Sequence, residues 1–288
     1  MNEYVLEVND VVKRYLDFTL DKVSFKVPKG SIVGLIGENG AGKSTTINIA
    51  LDLVRKEQGT VTVLGQEIPN EAHHWKEDVG VVFDGINFHE ALTPLEIGKI
   101  LSSGYKQWDD KVYQNYLAKF QLAQNKRIKD FSKGMKTKLC IAAALSHDPK
   151  LLILDEATSG LDPVMRDDML DVFLDFVQDE NHSILMSSHI TTDLEKVADY
   201  IVLIHQGKII LSQSKDELIY NYGIIRCGAA LFEALDKSEI LAYRKCDFQW
   251  EVLVADKAKF KKQYRDAVID NASIDDILLL YVKGEQAK

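Results

Sequence analysis

Ile32-Val33-Gly34-Leu35-Ile36 runs directly into Gly37-Glu38-Asn39-Gly40-Ala41-Gly42-Lys43-Ser44, and a helical pattern follows from about Lys43 to Leu53. The first five residues read as a buried strand and the glycine-rich stretch as a turn. The octapeptide satisfies GxxxxGK(S/T) after a strand and before a helix, the context in which that pattern carries chemistry. Its glycines let backbone amides turn inward around phosphate, and the helix N-terminus adds positive potential. Lys43 is placed to reach β- and γ-phosphate oxygens, and Ser44 to offer its hydroxyl to Mg²⁺.

A second element answers the first. Leu151-Leu152-Ile153-Leu154 is a buried strand that ends in Asp155-Glu156. Such a strand places Asp155 to hold Mg²⁺ through water and leaves Glu156 to polarise an attacking water. A phosphate loop followed by this acidic strand end points to a nucleoside triphosphatase.

Outward from these two elements the pattern is mixed α/β. Tyr4, Leu6 and Val8, then Val23, Phe25 and Val27, alternate with polar residues and predict two antiparallel strands closed by Pro28-Lys29-Gly30. Gly59 to Leu64 and Val79 to Phe83 are further strand candidates. From Thr93-Pro94-Leu95-Glu96, an N-cap, a first-turn proline and a capping-box acid, helices are expected near Leu95–Ser103, Asp109–Phe120 and Lys133–Leu145. The α/β order resumes with a helix opened by Asp162-Pro163, whose Met165, Met169, Val172, Phe173 and Phe176 share one face. Strand Ile184–Met186 follows, then a hairpin of Ile201–Ile204 with Ile209–Leu211. A capping box at Ser214 to Glu217, with Gly223 as C-cap, opens a smaller unit. In it Trp250–Val254 is a strand, and Ser273 caps a helix whose Ile274, Ile277, Leu278 and Tyr281 form an internal apolar face. Two domains are expected, residues 1–214 and 215–288, the first with a helical insert over about 86–148.

Three shorter motifs discriminate among phosphate-loop proteins. Phe131-Ser132-Lys133-Gly134-Met135 precedes a helix, Ser159-Gly160-Leu161-Asp162 follows the acidic pair, and Ser188-His189 ends the next strand. With the phosphate loop and acidic strand, this order resembles the ATP-binding subunits of ABC transporters over about residues 4–211. The resemblance implies a RecA-like ATP-binding core with an antiparallel β-subdomain and an inserted helical subdomain, followed here by a small α+β accessory domain. It makes Tyr15 the aromatic that stacks on adenine, with Phe18 as a competitor, and residues 37–45, including Thr45, the phosphate cradle. It makes Asp155 and Ser44 the magnesium ligands, Glu156 the general base, and His189 the holder of γ-phosphate and attacking water. Ser132 and Gly134 would contact ATP bound on a second subunit. Two departures stand out. Lys133 replaces a glycine of the family signature LSGGQ, and Asp84 stands at the usual glutamine position, where it is acceptor-only and reaches Mg²⁺ through water if at all. These features, with the tail, look most similar to bacterial ABC-2 type exporter ATPases of drug and bacitracin systems.

Composition agrees with that class and disfavours others. The chain has 288 residues, 35 Lys+Arg against 44 Asp+Glu, and a net charge of −9, a poor match to polyanionic nucleic acid. The basic cluster Lys126-Arg127-Ile128-Lys129 with Lys133, Lys136 and Lys138 has few interleaved aromatics and reads as a solvated helical face. No run approaches the ~20 apolar residues of a membrane span. The opening MNEYVLEVND has acids where an export signal has bases, and three cysteines without a CxxC pair suit a reducing cytosol. His73, His74 and His89 have no evident partners. The resemblance therefore implies ATP and Mg²⁺ as cofactors, a membrane-spanning permease on a separate chain, a second ATPase subunit, and a cytoplasmic position on the inner membrane face. The competing class is a soluble ABC ATPase acting on ribosomes or DNA. Its ribosomal members carry two ATPase units per chain and its DNA-repair members a long heptad insertion, neither of which is found here.

Overall fold

The computed structural model describes residues 3–69, 74–85, 88–265 and 267–286; His73 lies outside them. The chain opens on β1 (Tyr4–Arg14) and β2 (Thr19–Pro28), antiparallel, with Leu6 opposite Val27 and Val8 opposite Phe25. These four residues are buried, so the period-two pattern marks the covered face of the sheet. β3 (Ile32–Ile36) and α1 (Lys43–Ala50) flank the phosphate-loop sequence. α1 stops short of Leu53 because Leu51 closes it and Asp52 turns into the left-handed region at φ 57°. β4 (Gln58–Val63) and β5 (Gln66–Ile68) then complete a four-stranded antiparallel sheet, ordered β2-β1-β4-β5.

β6 (Val79–Val82) leads into the helical insert, α2 (Pro94–Gly104), α3 (Asp110–Lys119) and α4 (Lys133–Leu145). Each helix starts at a side-chain cap, from Thr93, Asp109 and Ser132. The Thr93 box is complete: Glu96 N–H donates to the Thr93 hydroxyl at 3.3 Å and Thr93 N–H to Glu96 Oε2 at 2.8 Å. β7 (Leu151–Asp155), α5 (Pro163–Phe176), β8 (Ser183–Ser188), α6 (Thr191–Val197), β9 (Tyr200–His205) and β10 (Lys208–Ser214) follow. They build a six-stranded sheet ordered β10-β9-β3-β8-β7-β6, parallel except for the β9–β10 hairpin.

This sheet is covered on both sides, which is why its strands read as unbroken apolar runs. Val33, Leu35, Leu151, Ile153, Leu185 and Val202 face α1 and the antiparallel sheet. Their neighbours Ile32, Ile36, Leu152, Leu154, Ile184 and Met186 face a second core shared with α4, α5 and α6. On α5, Met169, Val172 and Phe173 are buried, while Met165 and Phe176 pack at its margin.

The remaining chain forms α7 (Lys215–Asn221), β11 (Gly223–Cys227), α8 (Ala229–Ala234), β12 (Ile240–Cys246), β13 (Gln249–Val254), α9 (Lys257–Gln263), β14 (Ile269–Asn271), α10 (Ile274–Lys283) and β15 (Glu285–Gln286). Its sheet is ordered β14-β11-β13-β12-β15. One side packs around Ile225, Phe232, Val252 and Phe260. The other joins the second core of the ATPase part through Ile224, Leu253, Ile274, Ile277 and Leu280 against Leu194 and Val197 of α6. Glu195 of α6 also accepts the Ile274 N–H at 2.9 Å. Leu280, rather than Leu278 or Tyr281, is the third fully buried residue of α10. Gly223 starts β11 instead of capping α7, which ends at an extended Tyr222, and a Cβ at 223 would meet Ile269 and Lys257 at 2.7 Å. At Ser214 half of the expected box forms: its hydroxyl accepts the Glu217 N–H at 3.2 Å.

Candidate functional site

The parallel sheet brings the chemical residues to one edge. Register pairs Ile36 with Ser188 across β3 and β8, and Asp155 with Ser187 across β7 and β8. The turn after β3, the acids after β7 and the histidine after β8 therefore emerge at the carboxyl ends of neighbouring strands, where open α/β sheets bind ligands.

The turn is shaped by close packing. A Cβ on Gly37 would lie 2.3 Å from the Ile204 carbonyl oxygen, so no larger residue fits. Gly42 precedes α1 at φ 114°, a conformation favouring glycine, and no side chain caps the helix. The first amides of α1 thus have no side-chain acceptor and present an anion site. Glu38, Asn39, Gly40 and Ser44 are exposed around it, and Thr45 is half-buried.

Lys43 is 5% exposed and its Nζ donates to the Gly37 carbonyl at 2.7 Å and the Glu38 carbonyl at 3.2 Å. It also pairs with Glu156 Oε1 at 3.2 Å. The other Glu156 oxygen accepts from His189 Nδ1 at 2.6 Å. Lys43, Glu156 and His189 form one continuous chain, although they lie on three segments. Glu156 itself sits at φ 53°, a strained conformation for a residue with a side chain, held by its N–H donating to the Ser187 hydroxyl at 3.1 Å.

Ser187 is the residue the sequence reading missed. Its hydroxyl donates to Asp155 Oδ1 at 2.6 Å and accepts from the Glu156 backbone, so it orients both acids. The available signal was a pair of serines, Ser187-Ser188, ending an otherwise apolar strand. Asp193, in the first turn of α6, was also missed. It is buried, and burial pushes its carboxyl up while Thr158 and Arg166 oppose that rise.

Other expected residues fall at varying distance from this chain. Phe18 lies against the phosphate loop, since its Cζ would be 2.9 Å from a Cβ on Gly42. Tyr15 is half exposed, its ring 6.5 Å from that of Phe18, with Lys13 5.5 Å above it. Ser132 caps α4, accepting the Met135 N–H at 3.2 Å, and Gly134 is buried where a Cβ would collide with the Met165 sulfur. Among the described residues, no hydrogen bond or ion pair joins Ser132 or Gly134 to the loop at 37–45. Asp84 is exposed and pairs with Lys133 at 3.5 Å. In the basic cluster, Lys126, Arg127 and Lys129 are exposed, and Lys136 pairs with Glu90 at 2.7 Å.

The donor set suits a hard cation. Among the described residues no group of three His, Cys, Asp or Glu side chains is arranged to hold a metal alone. Ser44 and Asp155 present a hydroxyl and a carboxylate on α1 and β7, which pack together, and a sparse oxygen set of this kind fits Mg²⁺ completed by phosphate and water.

Comparison with known proteins agrees with this arrangement. Residues 20–159 match the family model described as ABC transporter. The chain is 34% identical over 219 residues to the bacitracin transport ATP-binding protein BcrA of Enterococcus faecalis, covering 75% of this chain and 71% of that one. It is 35% identical over 219 residues to the lantibiotic transport ATP-binding protein SrtF of Streptococcus pyogenes, covering 74% and 92%. A solved structure of an ATP-binding subunit of an ABC transporter superposes with a TM-score of 0.68 at 29% identity, covering 74% of this chain and 91% of that one. With the phosphate loop, the paired acids and the histidine gathered on one sheet edge, these relationships show that the chain belongs to the ABC transporter family as an ATP-binding, ATP-hydrolysing subunit.

Proposed function

We propose that this chain drives an exporter, hydrolysing Mg-ATP in a pair with a second ATPase subunit on the cytoplasmic face of the membrane, beneath a permease on a separate chain. The observation that carries the chemistry is the continuous chain Lys43–Glu156–His189 beside the open N-terminus of α1. Lys43 and the α1 amides hold the β- and γ-phosphates. Ser44 and Asp155 would hold Mg²⁺, which would supply positive charge against the phosphate oxygens. Glu156 takes a proton from water as its oxygen attacks the γ-phosphorus, and the bond to the β,γ-bridging oxygen breaks to release ADP and phosphate. His189 keeps the Glu156 carboxylate oriented and contacts the γ-phosphate. Tyr15 and Phe18 offer the aromatic edge for adenine. Ser132 and Gly134 complete the site of the second subunit.

Export is supported by the bacitracin and lantibiotic transport relatives. A separate permease is supported by the described helices, none of which is long and apolar enough to cross a membrane. A groove of about 200 Å³ lined by Leu51, Leu53, Val81, Phe83 and Tyr105 together with Lys76, beside the helical insert, offers a largely apolar seat for that partner. Two measurements test the reading. Lys43→Ala should abolish turnover and severely weaken ATP binding; near-normal hydrolysis in it refutes the nucleotide site. Purification from membranes should recover a polytopic membrane protein with the chain, and recovery of the chain with ribosomes alone refutes the transport role.

A further inference from the structure

The two departures from the family pattern meet in space. Lys133 is the first residue of α4 and Asp84 lies just beyond the end of β6, yet Lys133 Nζ is 3.5 Å from Asp84 Oδ1. Lys133 also crosses the turn that follows Glu156. A Cβ built on Gly160, which has φ 71°, would lie 3.0 Å from Lys133 Nζ and 3.5 Å from its Cδ and Cε. That turn is anchored to the general-base residue, because the Ser159 N–H donates to the Glu156 carbonyl at 3.0 Å. One lysine side chain therefore spans the end of β6, the start of α4 and the turn carrying Glu156.

Gly134, next to Lys133, is packed against Met165 at the start of α5, with Leu161 beyond it. The start of α4 thus packs against the end of the 159–162 turn. A cation in the first turn of a helix is disfavoured by the helix dipole, and Asp84 offsets that repulsion. Asp84 makes this contact from the exposed side of the turn, with side-chain exposures of 58% for Asp84 and 53% for Lys133.

We propose that Asp84 and Lys133 are a positioning pair for ATP hydrolysis. Asp84 holds Lys133 across Gly160 and so sets the start of α4, with Ser132 and Gly134, relative to the turn of Glu156. This rests on the nucleotide-site reading above, and it gives Asp84 a role through Lys133 rather than as a magnesium ligand. The pair is solvated, so its effect is at most about fivefold and weakens with salt.

The test uses the full chain with Asp84→Asn, Lys133→Gln, the double variant, and Lys133→Arg, which keeps both the charge and the reach across Gly160. Steady-state hydrolysis is measured across ATP, Mg²⁺ and salt concentrations, together with amide hydrogen exchange over residues 133–137 and 158–161. Asp84→Asn and Lys133→Gln should each lower kcat about threefold with KM within twofold, and the double should match them instead of multiplying their effects. Lys133→Arg should avoid at least half of that loss, and the Mg²⁺ requirement should stay unchanged throughout. Exchange over both segments should rise in Asp84→Asn and Lys133→Gln and stay near the wild type in Lys133→Arg. Effects that multiply in the double, Lys133→Arg no better than Lys133→Gln, or unchanged kcat in all variants overturn the proposal. A raised Mg²⁺ requirement in Asp84→Asn alone also overturns it and assigns Asp84 to the metal. The exchange readout needs no turnover. Coupled exchange beside an Lys43→Ala variant that still hydrolyses ATP would leave the pair standing and remove the nucleotide-site reading.

Discussion

Replacing Glu156 by Gln should do two opposite things, tightening ATP binding while stopping hydrolysis. The tightening follows from what Lys43 does without nucleotide. Its Nζ is 3.2 Å from Glu156 Oε1, with the two side chains 5% and 13% exposed. At that separation and an effective dielectric near 20, the gross attraction is about 5 kcal/mol. Desolvation of both charges offsets most of it, leaving roughly 1–2 kcal/mol net. ATP must draw Lys43 away from that carboxylate, and the neutral amide of the variant would not hold it. ATP affinity should therefore rise about tenfold. The amide oxygen of the variant still accepts the His189 Nδ1–H now 2.6 Å from Oε2, so the local shape is kept. It cannot take a proton, and hydrolysis should fall roughly 10²–10⁴-fold. Calorimetric titration with ATP gives the first quantity, single-turnover hydrolysis the second, and gel filtration with Mg-ATP should show trapped dimer. Unchanged or weaker ATP affinity refutes the competition between Glu156 and phosphate for Lys43. Hydrolysis within tenfold of the wild type refutes Glu156 as the base.

The loop glycines should rank by their surroundings. Gly37→Ala puts a methyl 2.3 Å from a backbone oxygen and should cost about 3 kcal/mol, whereas Gly40→Ala, at φ 81° with open space around it, should cost about 1 kcal/mol; equal urea midpoints would contradict this. His147 is buried and stacked on Tyr105 at 4.0 Å, and burial lowers its imidazole below the ordinary value of 6.5. The unfolded chain then takes a proton that the folded chain refuses, so the contribution is complete above pH 6.5 and is lost as pH falls through the depressed folded value. His147→Phe should flatten the fall in unfolding free energy between about pH 7 and 5, and an unchanged pH slope in urea melts would refute the assignment. Removing residues 215–288 uncovers Leu194 and Val197 and should lower Tm by roughly 5 °C or more, with ATP affinity of the folded protein within about twofold. A folded truncation that fails to bind ATP would refute the separation of the tail from the nucleotide chemistry.

What the sequence determined by itself is whatever depends on neighbours along the chain. Strand, glycine turn and helix around Gly37–Ser44 are contiguous, so the phosphate loop and the place of Lys43 were legible without tertiary information. The same holds for α4, whose Ser132 cap and span of Lys133–Leu145 match the expectation, and for Asp155-Glu156 at the end of an apolar strand. Tertiary structure decided what arises between segments far apart in sequence. Ser187 touches Asp155 only because β7 and β8 pair in one parallel register, and Lys43 meets Glu156 only because β3 and β7 flank the same strand. Phe18 rather than Tyr15 touches Gly42 because the hairpin of β1 and β2 carries both aromatics past the loop and its turn sets which ring points inward. Leu280 is buried ahead of Leu278 because α6 determines which stripe of an apolar helix is covered, and periodicity along α10 cannot name its partner. Asp84 and Lys133, 49 positions apart, read separately as two lost family residues, and only the packing of β6 against α4 makes them one pair.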